Sequence, residues 1–141
     1  YVLNSRRCIS YLTIEHRGPI PEDLRPLMAN WIYGCDECQT VCPWVKQFAR
    51  PGQVRFLRAD PEVTSPRLTD LLALDDEGFR ARFRGTPVVR TKRRGLLRNV
   101  CVALGNARDP SAGPALEQAL SDPEPLVREH AGWALRRLNA G

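Results

Sequence analysis

Apolar residues are spaced in three different ways along the chain, and each spacing predicts a different kind of structure. Residues 1–47 carry short apolar runs broken by Gly, Pro and Cys. Tyr11-Leu12-Thr13-Ile14 is a short β-prone run, and Arg17-Gly18-Pro19-Ile20-Pro21 is a turn with two prolines. Pro21-Glu22-Asp23-Leu24-Arg25 can open a helix, because proline and acidic residues suit a first helical turn. That helix is expected to run to about Tyr33 and to break at Gly34. Residues 48–64 are rich in Arg, Pro and Gly without clear periodicity, which reads as a connecting loop.

Beyond residue 64 the spacing becomes helical. Ser65-Pro66-Arg67-Leu68-Thr69-Asp70-Leu71-Leu72 offers a capping Ser and a Pro at the first helical position. Asp75-Asp76-Glu77-Gly78-Phe79-Arg80 resembles the start of another short helix. The apolar run from Leu96 to Leu104 can be laid over Val127 to Leu135 at a shift of about 31 residues. Small and apolar residues then coincide at Val100/Ala131, Val102/Trp133, Ala103/Ala134 and Leu104/Leu135. Between the two copies, Pro114 to Leu120 supplies a helix and Ser121-Asp122-Pro123-Glu124-Pro125 a turn. This is the pattern of stacked helical pairs of the HEAT kind, in which each pair buries its apolar face on a neighbour. Two copies are few, so the stack is expected to lean on the preceding helices.

Composition narrows the picture only a little. Hydrophobic residues make up 43% of the 141 and charged residues 26%, a globular balance. No run of about 18 apolar residues exists to cross a bilayer. A formal charge of +5, from 21 Lys+Arg against 16 Asp+Glu, permits an anionic partner without demanding one. Tyr1 stands where Met would open a reading frame, and the residues up to Cys8 already read as structured. A piece of a longer protein is therefore the expectation.

The cysteines change the picture most. Five cysteines accompany only two histidines, and three of them crowd into Cys35, Cys38 and Cys42. That grouping is unlike an evenly spaced disulfide framework and points to a metal or cluster site in a reducing, cytoplasmic setting. Ferredoxin-type clusters are held by a C-x-x-C-x-x-C-x-x-x-C-P run, in which three thiolates hold one cluster and the last reaches its neighbour. Cys35, Cys38, Cys42 and Pro43 match the final cysteines and the proline, whereas the first position is Ile32, which cannot bind iron. Cys8 is the natural replacement. Cys8, Cys35 and Cys38 would then share one 4Fe-4S cluster, and Cys42 would belong to another.

Two such clusters need about eight ligands, so a complementary cysteine run is expected before Tyr1. A structural zinc bound by the same four cysteines, in an interaction module, is the alternative reading. An unrelated ferredoxin-like electron carrier fused to helical repeats is another. Cys101, inside Val100-Cys101-Val102-Ala103-Leu104, reads as a buried structural thiol and not a ligand. The predicted class is mainly α. Residues 1–47 form part of a ferredoxin-like two-cluster iron-sulfur domain, 48–64 the loop, and 65–141 a HEAT-like helical repeat domain.

Two stretches carry a specific likeness: Arg6-Arg7-Cys8-Ile9-Ser10-Tyr11-Leu12-Thr13-Ile14-Glu15-His16-Arg17-Gly18-Pro19-Ile20-Pro21, and Ile32-Tyr33-Gly34-Cys35-Asp36-Glu37-Cys38-Gln39-Thr40-Val41-Cys42-Pro43-Trp44. The chain resembles the C-terminal part of the epoxyqueuosine reductases, iron-sulfur and cobalamin enzymes of tRNA queuosine synthesis. The resemblance implies reduction of epoxyqueuosine to queuosine at the tRNA wobble position, with electrons passing through two 4Fe-4S clusters to a cobalamin. It implies the same division of Cys8, Cys35 and Cys38 from Cys42. It also places Ser10 and Asp36 where one cluster approaches the corrin, as candidate cobalamin contacts.

By that resemblance the cobalamin domain and the proton-donating acid lie before Tyr1, so this stretch alone should not catalyse the reaction. Asn4, Trp31 and Val45 depart from the family's usual residues without touching a ligand. The densest basic run, Arg90-Thr91-Lys92-Arg93-Arg94 with Arg98, could meet tRNA phosphates, as could Arg17, or could be an ordinary solvated helix start. The expected partners are that tRNA and an electron donor such as a flavodoxin or ferredoxin system, with no membrane and a monomeric state. His16 and His130 read as structural, and Trp44 and Trp133 as core or interface anchors, Trp44 with the further possibility of shielding a cluster from water.

Overall fold

The computed structural model describes residues 4–50 and 65–140. Eight α-helices are described: α1 (Ile9–Ile14), α2 (Glu37–Thr40), α3 (Pro43–Phe48), α4 (Leu68–Leu72), α5 (Asp76–Phe83), α6 (Lys92–Ala107), α7 (Gly113–Ala119) and α8 (Pro125–Asn139). Single 3-10 turns lie at Ser5–Arg7, Arg25–Met28, Pro87–Thr91 and Pro110–Ala112. No strand occurs among the described residues, and none of their helices is long and apolar enough to cross a membrane. Most of the expected loop at 48–64 lies outside them, apart from Phe48, which ends α3, and residues 49–50.

α6 is the axis of the molecule. It is buried on nearly every side, from Arg93 through Gly95 to Gly105, because α8 and α4 pack on it, as do α1 and the 3-10 turn Arg25–Met28 of the cysteine-bearing segment. α8 turns Val127, His130, Ala131, Trp133 and Ala134 inward, the i, i+3, i+4 spacing of an amphipathic helix. Where it crosses α6 the two helices nearly touch: a Cβ on Gly105 would lie 2.8 Å from the Trp133 ring and 2.9 Å from the Ala134 Cα. The positions paired in the sequence overlay, Val100/Ala131, Val102/Trp133 and Ala103/Ala134, are all buried.

Leu12, Ile20, Leu24 and Met28 enter the same hydrophobic cluster as Leu71, Leu97, Leu116 and Val127. The described parts of the cysteine-bearing segment and of the helical segment therefore share one core.

Three local expectations change. Tyr11-Leu12-Thr13-Ile14 is helical, not a strand. Cys8 is the N-cap of α1, Thr13 Oγ1 donates back to the Ile9 carbonyl, and Leu12 alone of the run's large apolar side chains is fully buried. The helix expected from Pro21 to Tyr33 shrinks to the 3-10 turn Arg25–Met28. Pro26 cannot donate within it, Ala29 adopts φ 48, and Asn106 takes the carbonyls of Arg25 and Ala29 at 2.8 Å each. Ser65 does not cap α4. Arg67 is still extended, and the helix begins one residue later at Leu68. α5 forms as expected, with Asp75 accepting from the Gly78 N–H at 2.7 Å.

Candidate metal centre

The four candidate ligands sit at the junctions of short elements. Cys8 separates the Ser5–Arg7 turn from α1, and its carbonyl accepts the Leu12 N–H at 2.9 Å. Gly34, in the left-handed region at φ 72, turns the chain into Cys35. Cys38 lies in the single turn of α2, whose entry is held by the Asp36 carbonyl, which accepts Gln39 and Thr40 N–H groups. Cys42 ends that turn and caps α3, with Pro43 at its first position.

All four thiols are free. Cys8, Cys35 and Cys42 are half-buried, and Cys38 is exposed. The donor chemistry fits a cluster, since all four are unpaired thiols at the junctions of short elements. Among the described residues no three Cys, His, Asp or Glu side chains already converge within reach of a single ion. Cys101 is fully buried, and burial pushes its thiol up to about 12, which leaves it an inert core residue.

Polar side chains of α6 and α8 hold the approaches to Cys8 and Cys35. Arg98 is 1% exposed, and all five of its N–H groups are satisfied. Nη2 donates to the Leu12 carbonyl at 2.6 Å, and Nη1 to those of His16 and Gly18 at 2.8 and 2.7 Å. Nε and Nη2 both donate to Asn99 Oδ1, at 3.0 and 2.9 Å. Burial lowers the Arg98 guanidinium to about 10, with the nearby charges of Arg17, Arg94 and Arg25 acting the same way, so it stays charged at neutral pH.

On α8, His130 Nδ1 donates to the Leu126 carbonyl at 2.8 Å, so the neutral ring's Nε2 accepts the Ile20 N–H at 3.2 Å. Burial first, and then the charge of Arg25, depress this histidine to about 4. Arg25 itself is buried, donates to the Ile20 carbonyl at 2.8 Å and pairs with Glu129 at 2.6 Å.

The basic run divides. Arg98 and Arg93 face inward. Arg93 is 9% exposed, donates to the Leu74 carbonyl at 2.7 Å and forks onto Asp122 at 3.1 and 2.5 Å, so neither arginine offers a head group to a phosphate at the surface. Lys92 is exposed at φ 60, and Arg94 is half-buried one turn before Arg98. Arg17 is exposed beside Arg90, whose carbonyl it meets at 2.6 Å, and Arg90 pairs with Glu15.

His16 is structural, donating from Nε2 to the Pro19 carbonyl at 2.9 Å. Trp133 is a core residue between the guanidinium groups of Arg25 and Arg137. Trp44, by contrast, is 71% exposed and stacks on Phe48, so among the described residues it anchors no core. Ser10 lies half-buried in α1. Asp36 is exposed, and its Oδ1 accepts from Gln39 at 3.1 Å. Asn99, Thr13, Asn106 and Arg25 were not singled out from sequence. The visible signal was a polar Arg98-Asn99 pair inside the apolar run Leu96 to Leu104, because a buried polar pair needs partners from elsewhere.

Residues 1–45 match the family described as 4Fe-4S double cluster binding domain, which sets the chain among iron-sulfur proteins of mainly helical build. The epoxyqueuosine reductase of Alicycliphilus denitrificans is 48% identical over 141 residues, covering 94% of this chain and 39% of that relative. The Escherichia coli epoxyqueuosine reductase is 44% identical over 136 residues, covering 96% of this chain and 35% of that one. A crystal structure of epoxyqueuosine reductase with an epoxyqueuosine-modified tRNA stem loop superposes at a TM-score of 0.85 and 36% identity, over 96% of this chain and 36% of that chain. The chain belongs, over the length it has, to the epoxyqueuosine reductase family, and it spans less than two fifths of those relatives.

Proposed function

We propose that this chain is the cluster-bearing and helical C-terminal part of an enzyme that reduces epoxyqueuosine to queuosine at the wobble position of tRNA. The observation that carries the reading is the match of residues 1–45 to a double-cluster domain, with the four free thiols of Cys8, Cys35, Cys38 and Cys42 inside that span. Cys8, Cys35 and Cys38 hold one 4Fe-4S cluster together with a cysteine outside this stretch, and Cys42 completes the second. Bound clusters would supply single-electron relay and a cobalamin the reductive chemistry on the epoxide.

The chain's own residues position those groups. Ser10, in the helix that Cys8 opens, and Asp36, next to Cys35, are the contacts nearest the corrin. Residues 1–47 form the cluster domain, 48–64 the connection, and 65–141 a HEAT-like pair of repeats built on α6 and α8. Arg17, Lys92 and Arg94 present positive charge to the tRNA backbone, while Arg93 and Arg98 brace the fold beneath them. An external electron carrier of the flavodoxin or ferredoxin class reduces the clusters. The protein works as a cytoplasmic monomer.

Anaerobic purification of the complete protein that contains this chain, followed by iron, sulfide and zinc analysis and by turnover of an epoxyqueuosine-containing tRNA stem loop, tests the reading. Cys35→Ser is expected to remove about half the iron, one cluster of two, and to abolish turnover. Zinc in place of iron and sulfide, or full turnover by the Cys35→Ser protein, would overturn it.

A further inference from the structure

Between Cys8 and Cys35 the chain has one six-residue helix and one 3-10 turn, too little regular structure to fix how the two cysteines stand to each other. Two backbone carbonyls bracket the problem. The Thr13 carbonyl lies at the end of the helix that Cys8 opens, and the Ile32 carbonyl lies just before Gly34 and Cys35. Both accept from one nitrogen, Asn99 Nδ2, at 2.8 and 2.9 Å.

The other side of that amide is locked. Asn99 Oδ1 accepts two N–H groups of Arg98, and turning the amide over would set an oxygen against two carbonyl oxygens. Thr13 closes the loop. Its hydroxyl donates to the Ile9 carbonyl at 2.8 Å and accepts the Gly34 N–H at 3.0 Å. Asn99 and Thr13 are both completely buried, so water does not compete for these bonds.

We propose that Asn99, oriented by Arg98 and completed by Thr13, is a positioning residue that sets the spacing of Cys8 and Cys35 for the cluster they share. The inference rests on the reading that these two cysteines ligate one 4Fe-4S cluster. Asn99 acts through the backbone of the two segments that approach the cluster. Thr13 has a second effect, because it commits the Gly34 N–H, one residue from a ligand, to its own hydroxyl. Hydrogen bonds to cluster sulfur are among the factors that set a reduction potential, so a released N–H at this place would be felt electronically.

Two variants of the intact protein, reconstituted anaerobically, separate this role from ordinary structural support. Asn99→Asp keeps the size and the contact with Arg98, and turns an oxygen toward the Thr13 and Ile32 carbonyls. It is expected to lose about half of the wild-type iron, with helical circular dichroism retained. Thr13→Val is nearly isosteric and frees the Gly34 N–H. It is expected to keep its iron, while the midpoint potential and the paramagnetic resonance line shape of one cluster shift.

Wild-type iron content, resonance spectrum and potential in both variants, with only the melting temperature lowered, would overturn the inference and leave the cluster reading standing. If Asn99→Asp fails to fold, Thr13→Val decides alone: an unchanged potential and spectrum overturn the inference. A wild-type protein that binds zinc and no iron removes the cluster reading, and this inference with it.

Discussion

The two regions of the molecule satisfy their backbones in opposite ways. From residue 92 onward, α6 and α8 run for 16 and 15 residues, and most of their N–H and carbonyl groups pair within the helix. Residues 5–50 have no helix longer than six residues, so many carbonyls there have no local partner. Side chains of the long helices supply those partners: Arg98 reaches Leu12, His16 and Gly18, Asn99 reaches Thr13 and Ile32, and Asn106 reaches Arg25 and Ala29. A cysteine-bearing segment that must wrap an inorganic group cannot be regular helix throughout. The irregularity is tolerable because a regular neighbour completes its hydrogen bonds.

Breaking that dependence should have the largest effect on stability. Arg98→Ala removes five donors and leaves the buried Leu12 carbonyl and the half-buried carbonyls of His16 and Gly18 without that partner, at a cost on the order of 4 kcal/mol. Urea unfolding measures it. A loss under about 1 kcal/mol would mean that the two regions do not depend on each other as described.

His130 offers a reversible version of the same break. Its ordinary value is 6.5, and burial lowers it to about 4, so the unfolded chain takes up the proton first as pH falls. Its contribution is fully present above pH 6.5 and is lost as pH falls toward 4, by up to about 3 kcal/mol. Protonated, as the folded chain becomes only near pH 4, Nε2 could no longer accept the Ile20 N–H, so protection of the Ile20 amide relative to its intrinsic exchange rate is expected to fall near pH 4. His130→Gln, if it supplies an acceptor there, should flatten the dependence.

The contrast also explains what sequence could and could not reveal. Long-helix positions are legible because one apolar pattern occurs twice: the Leu96–Leu104 and Val127–Leu135 runs, which overlay at a shift of about 31 residues, fall within α6 and α8. The turn chemistry of Gly34 and of Asp75 was legible for local reasons. The Tyr11–Ile14 run was misread because its β-branched composition favours a strand when taken alone. Arg98 and Asn99, more than 80 residues away, accept the role of C-terminal cap for a short helix there. The same distance hid the inward turn of Arg93 and Arg98. In sequence they continue a basic run, and only the acceptors from Asp122, Leu12 and Gly18 distinguish them from Lys92 and Arg94.

Within the helical region, packing can be broken without touching the cysteine segment. Gly105→Ala improves helix propensity by about 1 kcal/mol, yet it drives a methyl into the Trp133 ring and the Ala134 backbone. Backbone cannot swing aside as a flexible side chain can, so overpacking of about 1–3 kcal/mol outweighs the gain. A net loss of up to about 2 kcal/mol is expected in thermal unfolding, with iron content unchanged. A stabilised Gly105→Ala protein would show that α6 and α8 lie farther apart than described.

The smallest effect on folding, and the sharpest test of how the basic run divides, comes from its outward members. Lys92 is exposed and Arg94 half-buried, with the acidic side chains of Asp76 and Glu124 beside them, so each contributes a partly screened charge. Replacing both with Gln should leave unfolding within about 0.5 kcal/mol of wild type. It should also lower the slope of log affinity for tRNA against log salt by about one to two units. Arg93→Gln predicts the reverse pairing, because its guanidinium is held by Asp122 and not offered to a phosphate: stability falls and the salt slope stays. If instead Arg93→Gln flattens the slope as much as the Lys92 and Arg94 pair does, the inward ion pair opens on tRNA binding and the division between brace and contact surface is lost.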